Sequence, residues 1–193
     1  LEAEVSLVVD VMLPARRVVK ALDEFRGRFP TVSLRLRVEA LGAVTQAVLD
    51  RDALFGLSGP LEIASDLLVQ TPAGAVKLIP VAHPDHPLAK TGKVTSALAR
   101  DHVQLVLTDR SSLTAGRDLG VVAVKSWRLA DLGAKHALLV AGLGWGSMPG
   151  PMVSDDIKRG RLVRLPIDTW DDVQYHFHTV HRADTPLGPA ASW

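Results

Sequence analysis

The spacing of apolar residues in the first part of the chain predicts strands and helices in alternation. Residues 5–9, VSLVV, are a predominantly apolar run, which is typical of a strand buried on both faces. After Pro14, apolar side chains recur at helical spacing until Pro30, which ends the helix because a residue before proline avoids the α conformation. Residues 32–38 alternate between apolar and polar, which indicates a strand with one solvated face. With a helix at residues 43–49 and a strand at residues 53–57, the order is that of a parallel sheet covered by helices.

The alternation restarts in the second part of the chain. Strands are predicted at residues 75–82, 103–108, 121–124 and 162–165, and a further strand ends at Pro149. Helices are predicted at residues 94–100, 131–141 and 151–159. A last alternating segment, residues 173–180, comes too late for this second half and is predicted to cross back to the first. Two α/β halves joined by two chain crossings enclose a cleft, and open α/β sheets bind ligands at the carboxyl ends of their strands.

Composition narrows the function classes. Lys and Arg total 22 against 21 Asp and Glu, and no concentrated basic face is apparent, so this chain by itself is not expected to contact DNA. The absence of cysteine excludes disulfides, thiolate nucleophiles and Cys-based metal sites, and it agrees with a reducing, cytoplasmic location. No apolar run approaches the roughly 18–20 residues of a membrane span, and the start lacks the layout of a signal peptide. Because an apolar strand follows Leu1 almost at once, we interpret the chain as a piece of a longer protein.

The glycine-rich segment AGLGWGSMPG, which begins at Ala141, raises the possibility of a phosphate-binding loop. In a dinucleotide fingerprint, however, the glycines follow a strand and open a helix. Here an apolar helical stretch ends at Gly142 and the glycines lead into a strand, so the segment favours a helix C-cap. Trp145, within it, is interpreted as packing in the core or at a hinge, with a position lining the cleft as the alternative.

Four stretches share their order and spacing with a known family. The longest, from Leu138 to Leu165, is LLVAGLGWGSMPGPMVSDDIKRGRLVRL, in which a helix ends in a Gly-x-Gly turn, a strand reaches a proline and a short helix precedes G-x-L. The others are FRGRFPTVSLRLR from Phe25, VAHPDHPLA from Val81 and SWRLAD from Ser126. Together they resemble the effector-binding domain of LysR-type transcriptional regulators over nearly the whole chain.

The resemblance implies an α/β fold like that of type II periplasmic binding proteins, with two Rossmann-like lobes joined by two crossover strands. Lobe I is then residues 1–72 plus 173–193, and lobe II is residues 73–172. It implies a small-molecule effector in the cleft, and a homodimer or homotetramer in which the first helix of one copy meets the second strand of another. DNA would be contacted only through an N-terminal winged helix-turn-helix that is absent from this chain. No membrane partner is implied.

The residues at the expected ligand loops depart from the family pattern. Where a Ser or Thr hydroxyl often follows the first strand, this chain has Asp10, Val11 and Met12, and Leu41 stands where another hydroxyl is common. An acid and apolar residues favour a neutral, apolar or cationic ligand over a carboxylate. A segment beyond the strand at residues 103–108 adds polar groups, for which ordinary turn chemistry is the alternative. The predicted effector-binding residues are Asp10, Val11, Met12, Leu41, Thr108, Asp109, Ser111 and Ser112.

Other candidate chemistry is weaker. His176 and His178 share one strand face and could reach one Zn²⁺, but no third ligand follows from the sequence, so solvated histidines are the interpretation and no metal site is predicted. His86 is interpreted as structural. Ser111 and Ser112 lack a nucleophile elbow and a matching base. No cofactor and no enzymatic activity are predicted.

Three functions compete on this fold. The first is the effector-sensing domain of a LysR-type regulator, which relays ligand binding to DNA-binding domains. The alternative is a periplasmic-type solute-binding protein, which would require an export signal. An enzyme on the same two-lobed fold is the third, although porphobilinogen-polymerising enzymes attach their cofactor through a cysteine that this chain lacks.

Overall fold

A computed structural model describes residues 2–61, 63–117, 119–170 and 172–193. The described strands are β1 (Glu4–Asp10), β2 (Ser33–Glu39), β3 (Phe55–Ser58), β4 (Leu68–Ala82), β5 (Gln104–Leu107), β6 (Ser126–Leu129), β7 (Trp145–Pro149), β8 (Val163–Arg164) and β9 (Gln174–Arg182). The helices are α1 (Ala15–Arg28), α2 (Gly42–Leu49), α3 (Ser96–Arg100), α4 (Leu132–Val140), α5 (Gly150–Lys158) and α6 (Pro189–Ser192). Two short 3-10 helices lie at Pro87–Lys90 and Ser112–Thr114.

The chain forms two compact units. Unit 1 comprises Leu1–Ala75, Asp109–Ala115 and His176–Trp193, and unit 2 comprises Val76–Thr108 and Gly116–Tyr175. The long strands β4 and β9 each carry the chain from one unit into the other. The predicted α/β fold with two lobes joined by two crossover strands is therefore confirmed.

Unit 1 contains a sheet in the order β2-β1-β3-β9. β1 is parallel to β2 and β3, whereas β9 is antiparallel to β3, with Ser58 opposite His178. The late strand thus completes the first unit, as its position in the sequence predicts. β1 is central and largely buried, and β2 lies at the edge with most of its residues accessible. On one face Val8 and Val180 pack against Val44 of α2.

Unit 2 is built around β5, which is parallel to β6 and β7, while β4 is antiparallel to β7 and β8. Its core contains Leu88, Leu165 and the ring of Trp145, which is fully buried. The Trp145 indole Nε1 donates to Ala99 O at 3.1 Å and its ring meets Trp170 edge-on. Trp145 is therefore a core residue, in agreement with the favoured interpretation.

The glycine segment caps a helix. After α4 ends, Gly142 adopts φ +77°, its N–H donates to Leu139 O at 3.0 Å, and Leu143 N–H donates to Leu138 O at 3.1 Å. This pair of bonds is the Schellman motif, in which a left-handed residue satisfies the last helical carbonyls. The C-cap interpretation is confirmed, and the phosphate-loop alternative is excluded.

One predicted strand is wrong. Residues 121–124 form no strand, and the strand of this region is β6, at Ser126–Leu129. The buried side chain of Gln104 explains the difference, because its Oε1 accepts from Val122 N and Ala123 N at 2.8 and 3.0 Å. These backbone donors are therefore engaged by a side chain instead of a neighbouring strand.

The other sequence features lie on ordinary structure. His86 is buried and its Nδ1 accepts from Leu88 N at 3.2 Å, which supports the structural interpretation, and burial together with the nearby His102 lowers the pKa of His86. Among the described residues, no group of three potential metal-binding side chains comes together. Within the same ranges, no helix has the length and apolar character needed to cross a bilayer.

Candidate functional site

The first part of the candidate site lies in unit 1, where β1 ends and α2 begins. Asp10 is the last residue of β1, and Leu41 stands at the N-cap of α2 with φ +50°. The Asp10 carboxylate accepts from Met12 N at 2.8 Å and from Leu41 N at 3.2 Å. All three residues are buried. Asp10 therefore joins the loop after β1 to the start of α2, and Val11 N donates to Glu39 O at 2.8 Å alongside it.

The second part of the site is the segment Asp109–Ala115, which also belongs to unit 1. The Asp109 Oδ2 accepts from Ala43 N in the first turn of α2 at 2.8 Å and from Ser111 Oγ at 2.6 Å, and the Thr114 hydroxyl donates to Oδ1. The Ser112 hydroxyl donates to Gln46 Oε1, further along α2, at 3.2 Å.

Asp109 supplies the cap that α2 lacks locally. The side chain of Leu41 is apolar and makes no capping hydrogen bond. A carboxylate at a helix N-terminus satisfies an orphan N–H and interacts favourably with the helix dipole. Gly42 permits the approach, since a Cβ there would lie 2.5 Å from Ser111 Oγ.

The structure thus brings most of the predicted residues together. Asp10, Met12 and Leu41 form one cluster at the start of α2. Asp109, Ser111 and Ser112 form a second cluster, which contacts the same helix from another segment of the chain. Val11 lies beside the first cluster and is half-buried. Thr108 belongs to unit 2, where its N–H donates to Leu129 O at 2.8 Å.

Sequence reasoning missed three partners at this helix. They are Ala43, Gln46 and Thr114. Ala43 N and the Thr114 hydroxyl donate to Asp109, and Gln46 Oε1 accepts from Ser112. Residue 43 lies far from Asp109 in the chain, so no local pattern pairs them. The available signal was Gly42 immediately before the helix predicted at residues 43–49, because glycine there allows another backbone or side chain to approach closely.

An ionisable group in unit 2 was also missed. Lys135, on α4, is 2% exposed, and its Nζ donates to Ser147 O at 2.7 Å. Burial lowers its pKa to about 8 from an ordinary 10.5. The neighbouring His136 and Arg161 both bond the buried Asp156 at 2.7 Å. Burial alone would raise the pKa of Asp156, but these two hydrogen bonds outweigh it and the pKa falls.

The class and the family follow from comparison with known proteins. Two α/β units joined by two crossover strands define a protein with the type II periplasmic-binding-protein fold. The model of the LysR substrate binding domain matches residues 1–193, and the chain belongs to that family. No match was found among the curated proteins.

Solved structures with this fold include regulatory domains of LysR family regulators. The CcmR regulatory domain of Synechocystis PCC6803, in complex with 2-PG, has a TM-score of 0.79 at 17% identity, covering 98% of this chain and 92% of its own. The effector binding domain of QuiR, in complex with shikimate, has a TM-score of 0.79 at 15% identity, with 100% and 93% covered. The regulatory domain of MetR from N. meningitidis has a TM-score of 0.74 at 18% identity, with 98% and 88% covered. At these identities the likeness shows the fold.

Proposed function

We propose that this domain senses a small neutral, apolar or cationic effector and transmits its binding to DNA-binding domains of the same regulator. Membership of the LysR substrate binding domain family over residues 1–193 is the observation that carries the regulatory role. The effector site of the proposal includes Asp10, Val11, Met12, Leu41, Thr108, Asp109, Ser111 and Ser112. The lobes of the proposal are residues 1–72 with 173–193 and residues 73–172.

The ligand class rests on which hydrogen-bond donors are already used. A carboxylate ligand needs N–H or hydroxyl donors, and a helix N-terminus is a common source of them. At α2, Leu41 N is bonded to Asp10, and Ala43 N is bonded to Asp109. The Ser111 hydroxyl also donates to Asp109. Two carboxylates of the protein therefore engage three donors at this end of α2 that an anionic ligand could use, and their negative charge disfavours an anion further.

Regulation requires that the ligand distinguish between two arrangements of the domain. A ligand shifts an equilibrium only by its differential affinity for the two states. We propose that effector binding at these loops provides that difference, and that DNA is contacted only through an N-terminal winged helix-turn-helix outside residues 1–193. The proposed location is the cytoplasm, where such a regulator meets DNA, and no catalytic step is assigned to the domain.

The test is a thermal-shift screen of neutral, cationic and anionic metabolites against the 193-residue chain. We expect a neutral or cationic compound to raise the melting temperature, and Ser112→Ala or Val11→Lys, which adds a bulky positive charge, to weaken its binding by about tenfold in calorimetry. Thr31→Ala, an exposed change on the same unit, should leave the affinity unchanged. A carboxylate hit whose affinity depends on Met12 and Leu41 would contradict the ligand class, and unchanged affinity in every site variant would contradict the site.

We also propose a homodimer formed by α1 and β2, which the family resemblance implies. Two features support it: β2 is an edge strand of its sheet, and apolar side chains on it remain accessible. Val38 is 56% exposed on β2 and Val19 is 65% exposed on α1. Exposed apolar residues on an edge strand favour association with another copy.

Val38→Glu combined with Val19→Glu is expected to convert this dimer to a monomer, because two carboxylates would be desolvated at the contact. The measurement is the molar mass from light scattering after size-exclusion chromatography. Val124→Glu is the matched control, since Val124 is 75% exposed in unit 2. Loss of the dimer in the control, or its persistence in the double variant, would refute the assignment of this surface.

A further inference from the structure

Residues Asp109–Ala115, the docking segment, belong to unit 1 although both ends of the segment continue into unit 2. The preceding residue, Thr108, ends one part of unit 2, and the following residue, Gly116, begins the other. The chain therefore passes into unit 1 and back at this segment, in addition to its passages within β4 and β9. Only the contacts of the docking segment with unit 1 distinguish it from a loop of unit 2.

Hydrogen bonds, and no buried apolar side chain, attach the docking segment to α2. The Asp109 carboxylate accepts from Ala43 N, and the Ser112 hydroxyl donates to Gln46 Oε1. Among the described residues, the buried apolar core includes no side chain of this segment. A hydrogen bond between protein groups replaces one to water, so each such bond contributes little net free energy. The attachment is therefore weak compared with the packing of α2 on the sheet, where Val44 is fully buried.

Gly42, the first residue of α2, leaves just enough room for the docking segment. A Cβ on residue 42 would lie 2.5 Å from Ser111 Oγ, 3.0 Å from Thr114 Cγ2 and 3.1 Å from Leu113 Cβ. Rotating the Ser111 hydroxyl out of the way would break its bond to Asp109. An alanine at residue 42 thus pushes the segment away, whereas α2 itself tolerates alanine because the φ of Gly42 is not positive.

We propose that the docking segment is a detachable regulatory element, which alternates between a docked state on Gly42 and Ala43 and a released state in which α2 stays folded. This deepens the proposed regulatory function and rests on it for its purpose, since regulation requires an element with two states. An effector whose cationic group pairs with Asp109 competes with Ala43 N for that carboxylate, and it therefore favours the released state.

Native-state hydrogen exchange of the ligand-free 193-residue chain tests whether the docking segment is released locally. NMR follows the amides of Ala43, which bonds Asp109, and of Val48, which is buried further along α2, at increasing low concentrations of urea. We expect exchange at Ala43 to be at least about tenfold faster than at Val48 and independent of urea, because local release exposes little surface. Equal urea dependence at the two amides would overturn the proposal, since the segment would then leave only when the whole fold is lost.

Two substitutions and a matched control distinguish release of the docking segment from fraying of α2. Gly42→Ala and Asp109→Ala are each expected to accelerate tryptic cleavage after the exposed Arg110 at least about tenfold, because a protease cuts the detached state. Both should leave the Val48 amide protected. Gly27→Ala on α1, where a Cβ would meet no atom within 4 Å, should change neither measurement.

Mass spectrometry identifies the cut after Arg110. The proposal is overturned if either variant leaves this cleavage unchanged, or if Val48 loses its protection together with it, because α2 itself would then unfold. Neither measurement contains a ligand, so their failure would leave the regulatory role of the domain intact. Conversely, a thermal-shift screen without a hit would not affect the release of the docking segment.

Discussion

Replacing Lys135 with methionine is expected to make the domain more stable near neutral pH, and to remove a pH dependence of roughly 3 kcal/mol in its free energy of unfolding. Lys135 is almost fully buried, and its Nζ donates to the carbonyl of Ser147. Burial of an ammonium group costs free energy unless a counter-charge compensates, and desolvation accordingly lowers the pKa of Lys135 to about 8. Methionine has a similar length and no charge, so it occupies the same space without that cost.

The direction of the pH dependence follows from the lowered pKa. Below about pH 8, Lys135 is protonated in both the folded and the unfolded chain, and the full cost of burying the charge is present. As the pH rises from about 8 towards 10.5, the unfolded chain holds the proton more tightly than the folded one, so the wild type gains stability. The Lys135→Met variant lacks this gain. Urea unfolding of both proteins at several pH values measures the difference.

The matched control is Lys158→Met on α5, whose side chain is 76% exposed. Because a solvated lysine loses little hydration on folding, its replacement should change the free energy of unfolding by less than about 0.5 kcal/mol at any pH. If the difference in free energy of unfolding between the wild type and Lys135→Met stays constant with pH, then Lys135 does not carry the desolvation cost that its burial indicates.

The sequence pattern predicts the elements of unit 1 well because each has one dominant hydrophobic pattern, either an apolar run or a regular spacing of apolar residues. The apolar run at residues 5–9 corresponds to β1, and the predicted helix at residues 43–49 corresponds to α2. β4 is the exception, since it begins at Leu68 although the prediction starts at residue 75. Most side chains in its first half are accessible to solvent, so they carry no buried face and no alternation that could reveal a strand.

The strand predicted at residues 121–124 fails for a different reason. VVAV has the composition of a strand, but its backbone donors at Val122 and Ala123 are bonded by the side chain of Gln104. A single buried amide from another element overrides the local preference, which is why composition alone misplaces the strand.

The candidate site shows the same division between local and tertiary information. Lys135 could have been predicted as buried, because Leu132, Lys135 and Leu139 share one face of α4 and all three are buried. The capping of α2 by Asp109 could not have been predicted, because that contact joins residues that are distant in sequence. Sequence locates the loops at the ends of the strands, whereas the engagement of their carboxylates with backbone donors is a property of the folded chain.

Asp10→Ala is expected to lower the free energy of unfolding by about 3 kcal/mol. The substitution removes the acceptor of two buried backbone donors, Met12 N and Leu41 N, and each donor left unsatisfied costs roughly 1–3 kcal/mol. Asp10→Asn is expected to cost less, because the amide oxygen still accepts from one donor while its NH₂ group faces the other. Urea unfolding gives the global effect, and amide hydrogen exchange at Met12 and Leu41 gives the local one.

The local measurement decides what the Asp10 carboxylate does. If it fixes the loop after β1 to the start of α2, exchange at Met12 and Leu41 should accelerate in both variants while the amides of unit 2 remain protected. Asp23→Ala on α1 is the control, since its side chain is 69% exposed and its pairing with Arg26 is worth less than about 1 kcal/mol. Unchanged exchange at Met12 and Leu41 in Asp10→Ala would show that other groups hold the two loops. The Asp10 carboxylate would then be available to a cationic effector, and the argument that it consumes these donors would be lost.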